Sequence, residues 1–327
     1  MHRLRKLASC AILIVVTIAP LSGLTIKIGS LAPVGSPWDD VLRELTAEWQ
    51  RLSGGSVKAI VYGGGTAGDE PAMLRKMRIG HIDGAAITVT GLTHVYPGVM
   101  TIQTPLLITD DAELDYVLDK VRPYYEEQIE EKGFKVLFWT LVGWAYLFST
   151  EPVVTPDDLR ALKYYVLEGD AEFIKTWKDL GFRPVPLATT DVLAGLQSGM
   201  VEAYAATILS SLSLQWFGVA KHMTDMTMAP MLAVLVISMR TWNRIPADLR
   251  SEYESVARGL EERMRAETSR LDQEALAIMN TYGLVTHPVP EQVVGDWREV
   301  LREGFLKTTD MQAYELVAGY VEEFRNR

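Results

Sequence analysis

Strand-like and helix-like patterns of apolar residues alternate from residue 25 onward. Residues 25–31 (TIKIGSL) alternate with the period of a β-strand, and residues 56–62 and 84–89 are further strand candidates. Between them, apolar residues recur at helical spacing over residues 38–52, and a shorter helix is predicted over residues 70–79. Strands that alternate with helices in this way predict an α/β fold with largely parallel pairing.

The second half of the chain continues this pattern and adds one long helix. Residues 134–139 and 141–149 are predicted strands that could carry the chain into a second domain, and residues 162–167 and 232–239 are two more. An apolar stripe then persists over residues 247–279. A helix of that length is about 50 Å long. We therefore expect it to run along both parts of the molecule.

The first residues have the composition of an export signal. Basic residues Arg3, Arg5 and Lys6 precede an apolar run over residues 7–21, after which small residues follow. The residues before a possible cleavage point fit poorly, so a retained membrane anchor is an open alternative. The only cysteine, Cys10, lies in this segment. We expect an exported protein whose mature chain has neither a disulfide nor a thiolate nucleophile.

Composition and motifs exclude several classes of function. A net charge of −10 argues against nucleic acid as a partner. The five histidines form no pair with the helical spacing of a zinc site, and no nucleophile elbow or phosphate-binding lysine motif occurs. Residues 63–68 satisfy the G-x-G-x-x-G pattern of dinucleotide sites, but Asp83 precedes the next strand instead of following it. We expect no metal, cofactor or catalytic group, with an NAD(P)-binding enzyme kept as an alternative.

The order of several segments resembles one protein family. Residues 62–70 (YGGGTAGDE), 78–83 (RIGHID), 152–163 (PVVTPDDLRALK) and 193–202 (LAGLQSGMVE) are similar to successive motifs of the TRAP-transporter substrate-binding proteins of the DctP type. This resemblance implies a periplasmic-binding-protein-like fold with two lobes, a hinge and a long helix that spans both. It also implies a periplasmic receptor that closes around one ligand and delivers it to a membrane permease.

The resemblance also predicts domain boundaries. Residues 1–23 are expected to form the signal peptide or anchor. Residues 24–147 with about 231–265 are expected to form lobe I, and residues 148–230 with about 266–327 to form lobe II. A helical-repeat (TPR) protein is a further expected partner, because the chain looks like the branch of the family that uses one.

The chain departs from the family at three ligand anchors. Two arginines and an asparagine that hold a ligand carboxylate in the family fall on Tyr165, Ala145 and Ala206. Each lost charge-assisted hydrogen bond would weaken carboxylate binding by about 1.5–3 kcal/mol. We therefore expect an apolar or weakly polar ligand instead of a dicarboxylate or sialic acid. The other candidate ligand-binding residues are Trp144, Tyr146, Tyr204, Trp216, Thr66, Thr88 and Met228.

Two alternatives stay open at this stage. The aromatic candidates could be core residues of their strands and helices, because an apolar cleft and an apolar core need the same residue types. The chain could also be an interaction subunit of the same fold that has lost its ligand.

Overall fold

The computed structural model describes residues 23–168, 171–307 and 309–327. Residues 1–22 of the predicted leader, with Cys10, lie outside the described residues. Within the described part of the chain, no helix is both long and apolar enough to cross a membrane.

In the described part of the chain, ten strands form one mixed sheet. They are β1 (Leu24–Ser30), β2 (Val57–Tyr62), β3 (Gly84–Thr88), β4 (Phe134–Ser149), β5 (Lys163–Leu167), β6 (Arg183–Leu187), β7 (Ala203–Thr207), β8 (His222–Asp225), β9 (Ala229–Ser238) and β10 (Val285–Pro288). The order along the sheet is β2-β1-β3-β9-β4-β7-β5-β6, and β8 pairs with both β4 and β10.

Twelve α-helices of the described residues cover and connect these strands. They are α1 (Pro37–Leu52), α2 (Glu70–Ile79), α3 (Val89–Leu92), α4 (Asp111–Glu131), α5 (Pro156–Ala161), α6 (Ala171–Asp179), α7 (Val192–Gln197), α8 (Ile208–Ser213), α9 (Met239–Trp242), α10 (Ala247–Thr281), α11 (Glu291–Phe305) and α12 (Met311–Arg325).

Pairing in the sheet is less parallel than the sequence predicts. β1 pairs in parallel with β2 and β3, and β5 pairs in parallel with β6 and β7. The two longest strands, β4 and β9, run antiparallel to each other, β9 runs antiparallel to β3, and β4 to β7. The long antiparallel strands β9 and β4 thus lie in the middle of the sheet, between a parallel group at each end.

The strand β4 joins the two parts of the molecule. It is continuous from Phe134 to Ser149, where the sequence predicts two strands, and its register against β9 shifts between Leu141 and Gly143. Gly143 has φ +149°, a backbone conformation that favours glycine. A shift of register with a glycine bends a strand locally, and this bend lies where one lobe passes into the other.

Side chains cap the starts of two helices, α1 and α5. Ser36 accepts a hydrogen bond from the backbone of Asp39 at the start of α1. Thr155 and Asp158 form a reciprocal capping box at the start of α5, with proline at the first helical position. These contacts satisfy backbone N–H groups that a helix start otherwise leaves free.

Four apolar clusters divide between two lobes. In lobe I, alternate residues of β9 face opposite sides: Val234 and Val236 join one cluster, and Leu235 and Ile237 join the other. In lobe II the strand β5 alternates in the same way, with Tyr164 and Val166 in one cluster and Tyr165 packed against the other. Both lobes are therefore helix–sheet–helix layers.

The long helix α10 packs on both lobes, as expected. Its first half places Tyr253, Leu260 and Met264 in a lobe I cluster, and its second half places Ala275 and Met279 in a lobe II cluster. The predicted domain boundaries themselves stay a prediction. The last helix, α12, which the sequence assigned to lobe II, packs into a lobe I cluster beside α4.

Candidate ligand-binding site

A cavity of about 430 Å³ lies between the two lobes. Lobe II contributes Thr189 and Ser210, and the remaining lining comes from lobe I and α10. The apolar lining residues are Leu31, Ala32, Trp38, Val41, Leu42, Ala86, Ile87, Phe138, Val142, Ala233, Val234 and Met264. The polar ones are Ser30, Glu70, Thr88, Thr140, Thr189 and Ser210. Neither lysine nor arginine is among the described residues that line the cavity.

Strand topology explains why these segments meet. β1 and β3 are parallel neighbours, with Ser30 beside Ala86, so their carboxyl ends lie at the same edge of the sheet. In open α/β sheets, ligands bind outside the carboxyl ends of the strands. The cavity extends from this edge across the neighbouring strands β9 and β4, since Ala233 and Thr140 also line it.

Glu70 is the one charged residue among the described residues that line the cavity. Its Oε1 accepts a hydrogen bond from the backbone N–H of Thr88 at 2.6 Å, and its Oε2 accepts one from the Thr88 hydroxyl at 2.9 Å. Burial raises the pKa of this carboxyl above its usual range, although both hydrogen bonds oppose the rise. Because both oxygens act as acceptors, the geometry fits the ionised group.

Two other polar atoms of the lining have no hydrogen-bond partner among the described residues. They are the indole Nε1 of Trp38 and the hydroxyl Oγ1 of Thr140, and both atoms are buried. Thr140 as a whole is 7% exposed. A buried polar group without a partner is unfavourable by about 1–3 kcal/mol. A bound molecule that offered each atom a hydrogen bond would remove this cost.

Of the residues that the sequence singled out, Thr88 lines the cavity. Tyr165 does not itself line the cavity, but its hydroxyl is 3.4 Å from Oγ1 of Thr189, which does. The ring of Tyr165 meets Trp216 edge-on at 5.8 Å. Its neighbour Tyr164 is buried in the opposite cluster against Trp177, with ring centroids 4.6 Å apart.

The two alanines predicted at ligand anchors lie within the sheet. Ala145 is 5% exposed and belongs to one lobe II cluster, while Ala206 packs against the other. Ala145 pairs with Thr207, and Ala206 pairs with Tyr146. Neither alanine is among the residues that line the cavity, and their role in binding stays a prediction.

The predicted aromatic contacts are mostly placed in cores. Tyr204 is fully buried, stacks on Phe148 at 5.3 Å and shares a hydrogen bond with Ser211 at 2.6 Å. Trp216 meets Tyr204 edge-on at 5.0 Å in the same cluster, against which Tyr146 also packs. These positions support the alternative of a structural role.

The last three predicted residues also lie away from the cavity lining. Trp144 donates its indole N–H to Asp111 at 2.7 Å. Met228 is 5% exposed in a lobe II cluster. Thr66 donates its hydroxyl to the carbonyl of Gly63 at 3.0 Å within the glycine-rich turn.

Sequence reasoning did not single out Glu70, Trp38 or Thr140. Glu70 stood within the family motif at residues 62–70, and Trp38 within the apolar stripe of α1. Thr140 is a polar residue within the apolar run of β4, and such an interruption is a sequence signal for a polar group facing a cavity. Their lack of internal partners becomes visible only when the strands and helices are assembled.

A second acidic group lies beside the bend of β4. Asp272 of α10 accepts a hydrogen bond from the backbone N–H of Leu209 at 3.2 Å. Burial raises the pKa of Asp272 to about 6, and the nearby Asp111 adds to the rise. The described residues contain no group of three or more His, Cys, Asp and Glu residues that could hold a metal ion.

A family model agrees with this arrangement. The model for the bacterial extracellular solute-binding proteins of family 7, DctP, matches residues 28–309. A solute-binding protein of Albidiferax ferrireducens is 22% identical over 81% of this chain and 79% of its own length.

Solved structures show the same fold. A TRAP periplasmic solute-binding protein from Ochrobactrum anthropi, with its C-terminus bound in the ligand pocket, is 19% identical with a TM-score of 0.85 over 94% of this chain and 97% of that one. One from Desulfovibrio salexigens with bound orotic acid is 18% identical, with a TM-score of 0.82 over 92% and 99%. Others contain bound D-glucuronate or succinate. The chain belongs to the DctP family of bacterial extracellular solute-binding proteins.

Proposed function

We propose that this protein is the extracytoplasmic solute receptor of a TRAP-type secondary transporter. In this function it closes around one small molecule and delivers it to the membrane permease subunits. The observation that carries the proposal is the cavity of about 430 Å³ to which both lobes contribute, in a chain of a solute-binding family. Export to the periplasm by the N-terminal segment belongs to the same proposal.

The hinge of this receptor is assigned to the segments that cross between the lobes. They include β4 at Gly143, the adjoining end of β7 at Thr207, and α10 at Asp272, which contact one another closely. A ligand that contacts both lobes binds the closed state better than the open one, and this difference drives closure.

We further propose a ligand that is largely hydrophobic or weakly polar. Its support is the lining, whose described residues include twelve apolar ones and neither arginine nor lysine. An acid buried here would have no cation to compensate its charge. The relatives whose bound ligands are named carry acids, namely orotic acid, glucuronate, galacturonate and succinate, so the comparisons do not support this part of the proposal.

Two other functions have less support. A dinucleotide-binding enzyme would need Asp83 free to bind a ribose, but its carboxylate accepts hydrogen bonds from the backbone of Lys27 at 2.9 Å and from Thr241 at 2.7 Å. A subunit without a ligand is less consistent with a cavity that retains unpartnered polar atoms. The TPR partner rests on the sequence resemblance alone and stays a prediction.

Native mass spectrometry of the purified protein, followed by organic extraction, tests the proposal. We expect one small molecule to accompany the folded protein and, when added back, to raise the melting temperature by mass action. A protein that retains nothing, and whose melting temperature no compound of a broad metabolite library changes, would contradict the receptor function.

A further inference from the structure

Three strands place a row of side chains on the floor of the cavity. In the antiparallel pairs β3–β9 and β9–β4, Thr88 is opposite Ala233, and Ala233 is opposite Thr140. Residues directly opposite each other in antiparallel strands point to the same face. Thr88 and Thr140 are therefore separated by two strand spacings, which is about 10 Å, with the small Ala233 between them.

The two ends of this row differ in what they offer a ligand. At one end, Thr88 holds Glu70, whose carboxylate has no lysine or arginine beside it in the lining. Each carboxylate oxygen can accept more than one hydrogen bond, so Glu70 keeps capacity for a donor. At the other end, the hydroxyl of Thr140 has no partner among the described residues and can both donate and accept.

The indole N–H of Trp38 sets a further requirement on the ligand. Trp38 lines the same cavity, and its indole N–H is buried and has no acceptor among the described residues. An indole N–H donates only, so it needs an oxygen or another acceptor from the ligand. Between these polar points the lining is apolar, with Ala233, Phe138 and Met264 among its residues.

From this arrangement we infer that the ligand is an elongated hydrophobic molecule without negative charge. It has a hydroxyl or amino donor at Glu70, an oxygen acceptor about 10 Å away at Thr140, and an acceptor for the indole N–H of Trp38. This inference rests on the proposed receptor function and narrows its ligand class. A carboxylate at the Glu70 end would face a like charge in a poorly hydrated site. A pure hydrocarbon would leave the hydroxyl of Thr140 and the indole N–H of Trp38 without partners.

A series of eight-carbon probes separates these possibilities. The probes are 1,8-octanediol, 8-amino-1-octanol, 1-octanol and suberate, measured by calorimetry and by the shift in melting temperature. We expect the diol or the amino alcohol to bind most tightly, 1-octanol to bind more weakly, and suberate not to bind. The two tight-binding candidates then distinguish a hydroxyl from an amino group. Suberate binding as tightly as the diol would overturn the inference.

Three substitutions test which protein residues contact each polar end of the ligand. Thr140→Val should lower diol affinity roughly 2- to 10-fold and bring it close to that of 1-octanol. Glu70→Gln should abolish any preference for the amino alcohol and reduce the discrimination against suberate. Trp38→Phe should weaken diol binding, whereas Trp177→Phe should not, since Trp177 also has a buried indole nitrogen without a partner but lies in a lobe II cluster.

The outcomes separate this inference from the receptor function itself. If extraction of the purified protein yields a tightly bound carboxylic acid, the ligand class is wrong and the receptor function stands. If all four probes leave the wild-type melting temperature unchanged, the ligand class is wrong. The receptor function is also wrong only if, in addition, extraction yields nothing and no compound of the metabolite library changes the melting temperature. Equal diol affinities of wild type and Thr140→Val would also overturn the assignment of the second polar end.

Discussion

Gly143 and Asp272 meet at the bend between the two lobes. A Cβ atom at position 143 would lie 3.0 Å from Oδ2 of Asp272 and equally close to Cβ of Thr207. The backbone of Gly143 also has φ +149°. Strand β4, the end of β7 and helix α10 therefore come together at a point where any side chain would meet both backbone strain and close contacts.

Gly143→Ala should destabilise the protein by about 1–3 kcal/mol, because it adds both backbone strain and a close contact. Chemical denaturation measures the free energy of unfolding. Gly133→Ala is the matched control, since Gly133 has φ +87° but nothing within 4 Å of the added Cβ. An equal loss in both variants would mean that the contact with Asp272 and Thr207 has no effect.

Asp272 should make stability depend on pH in the acid range. Its pKa is about 6 in the folded protein and near the ordinary 3.8 when unfolded. The folded state therefore binds more protons between these values, and the contribution of Asp272 to stability decreases as pH rises from about 4 to 6. Asp272→Asn keeps an acceptor for Leu209 and should raise stability at pH 7 on the order of 1 kcal/mol, after allowance for partial exposure.

The measurement is the free energy of unfolding at pH 4.5 and pH 7 for wild type and Asp272→Asn. The difference between the two proteins should be larger at pH 7. Asp296→Asn, which changes an exposed acid of α11, controls for the loss of one negative charge. A gain that is the same at both pH values would show that the titration of Asp272 is not its cause.

Tyr165→Arg alone should not create a dicarboxylate receptor. Tyr165 reaches the cavity only through Thr189, and its ring packs against Trp216. An arginine there would also lack the second arginine and the asparagine that the family resemblance assigns to positions 145 and 206. We expect no succinate binding by calorimetry, with Tyr165→Phe as the size-matched control. Micromolar succinate binding by Tyr165→Arg would contradict this view of the anchor positions.

The capping box of α5 should be worth a measurable amount of stability. Thr155 accepts from the backbone of Asp158, and Asp158 Oδ2 accepts from the backbone of Thr155 at 2.7 Å. Thr155→Ala removes one of these bonds and should destabilise the protein by about 1 kcal/mol. Thr155→Ser keeps the hydroxyl and should retain most of that stability; if the two variants unfold alike, the cap contributes little.

The sequence predicted helices and their caps well, but it predicted the pairing of distant strands poorly. Helix α10 and the caps at Ser36 and Thr155 depend on neighbouring residues, so their signals are complete within a short segment. The antiparallel crossing of β4 and β9 depends on pairing between residues almost a hundred positions apart, which no local pattern records.

The binding residues illustrate the same limit. Tyr204 and Trp216 belong to a core and Trp38 to the cavity, yet all three are aromatic residues in apolar segments. The resemblance to the family placed Tyr165 near the cleft because a motif fixes its position. It could not reveal that Trp38 and Thr140 lack partners, since that depends on every neighbour they meet after folding.

The most direct test of the account is to fill the cavity. Ala233 lies on its floor between Thr88 and Thr140, so Ala233→Phe should occupy the space that a ligand needs. Native mass spectrometry of wild type and variant, purified in parallel, compares the small molecule that each retains. We predict an adduct on wild type that is absent from a folded Ala233→Phe protein. The same adduct at the same occupancy on both proteins would contradict the account.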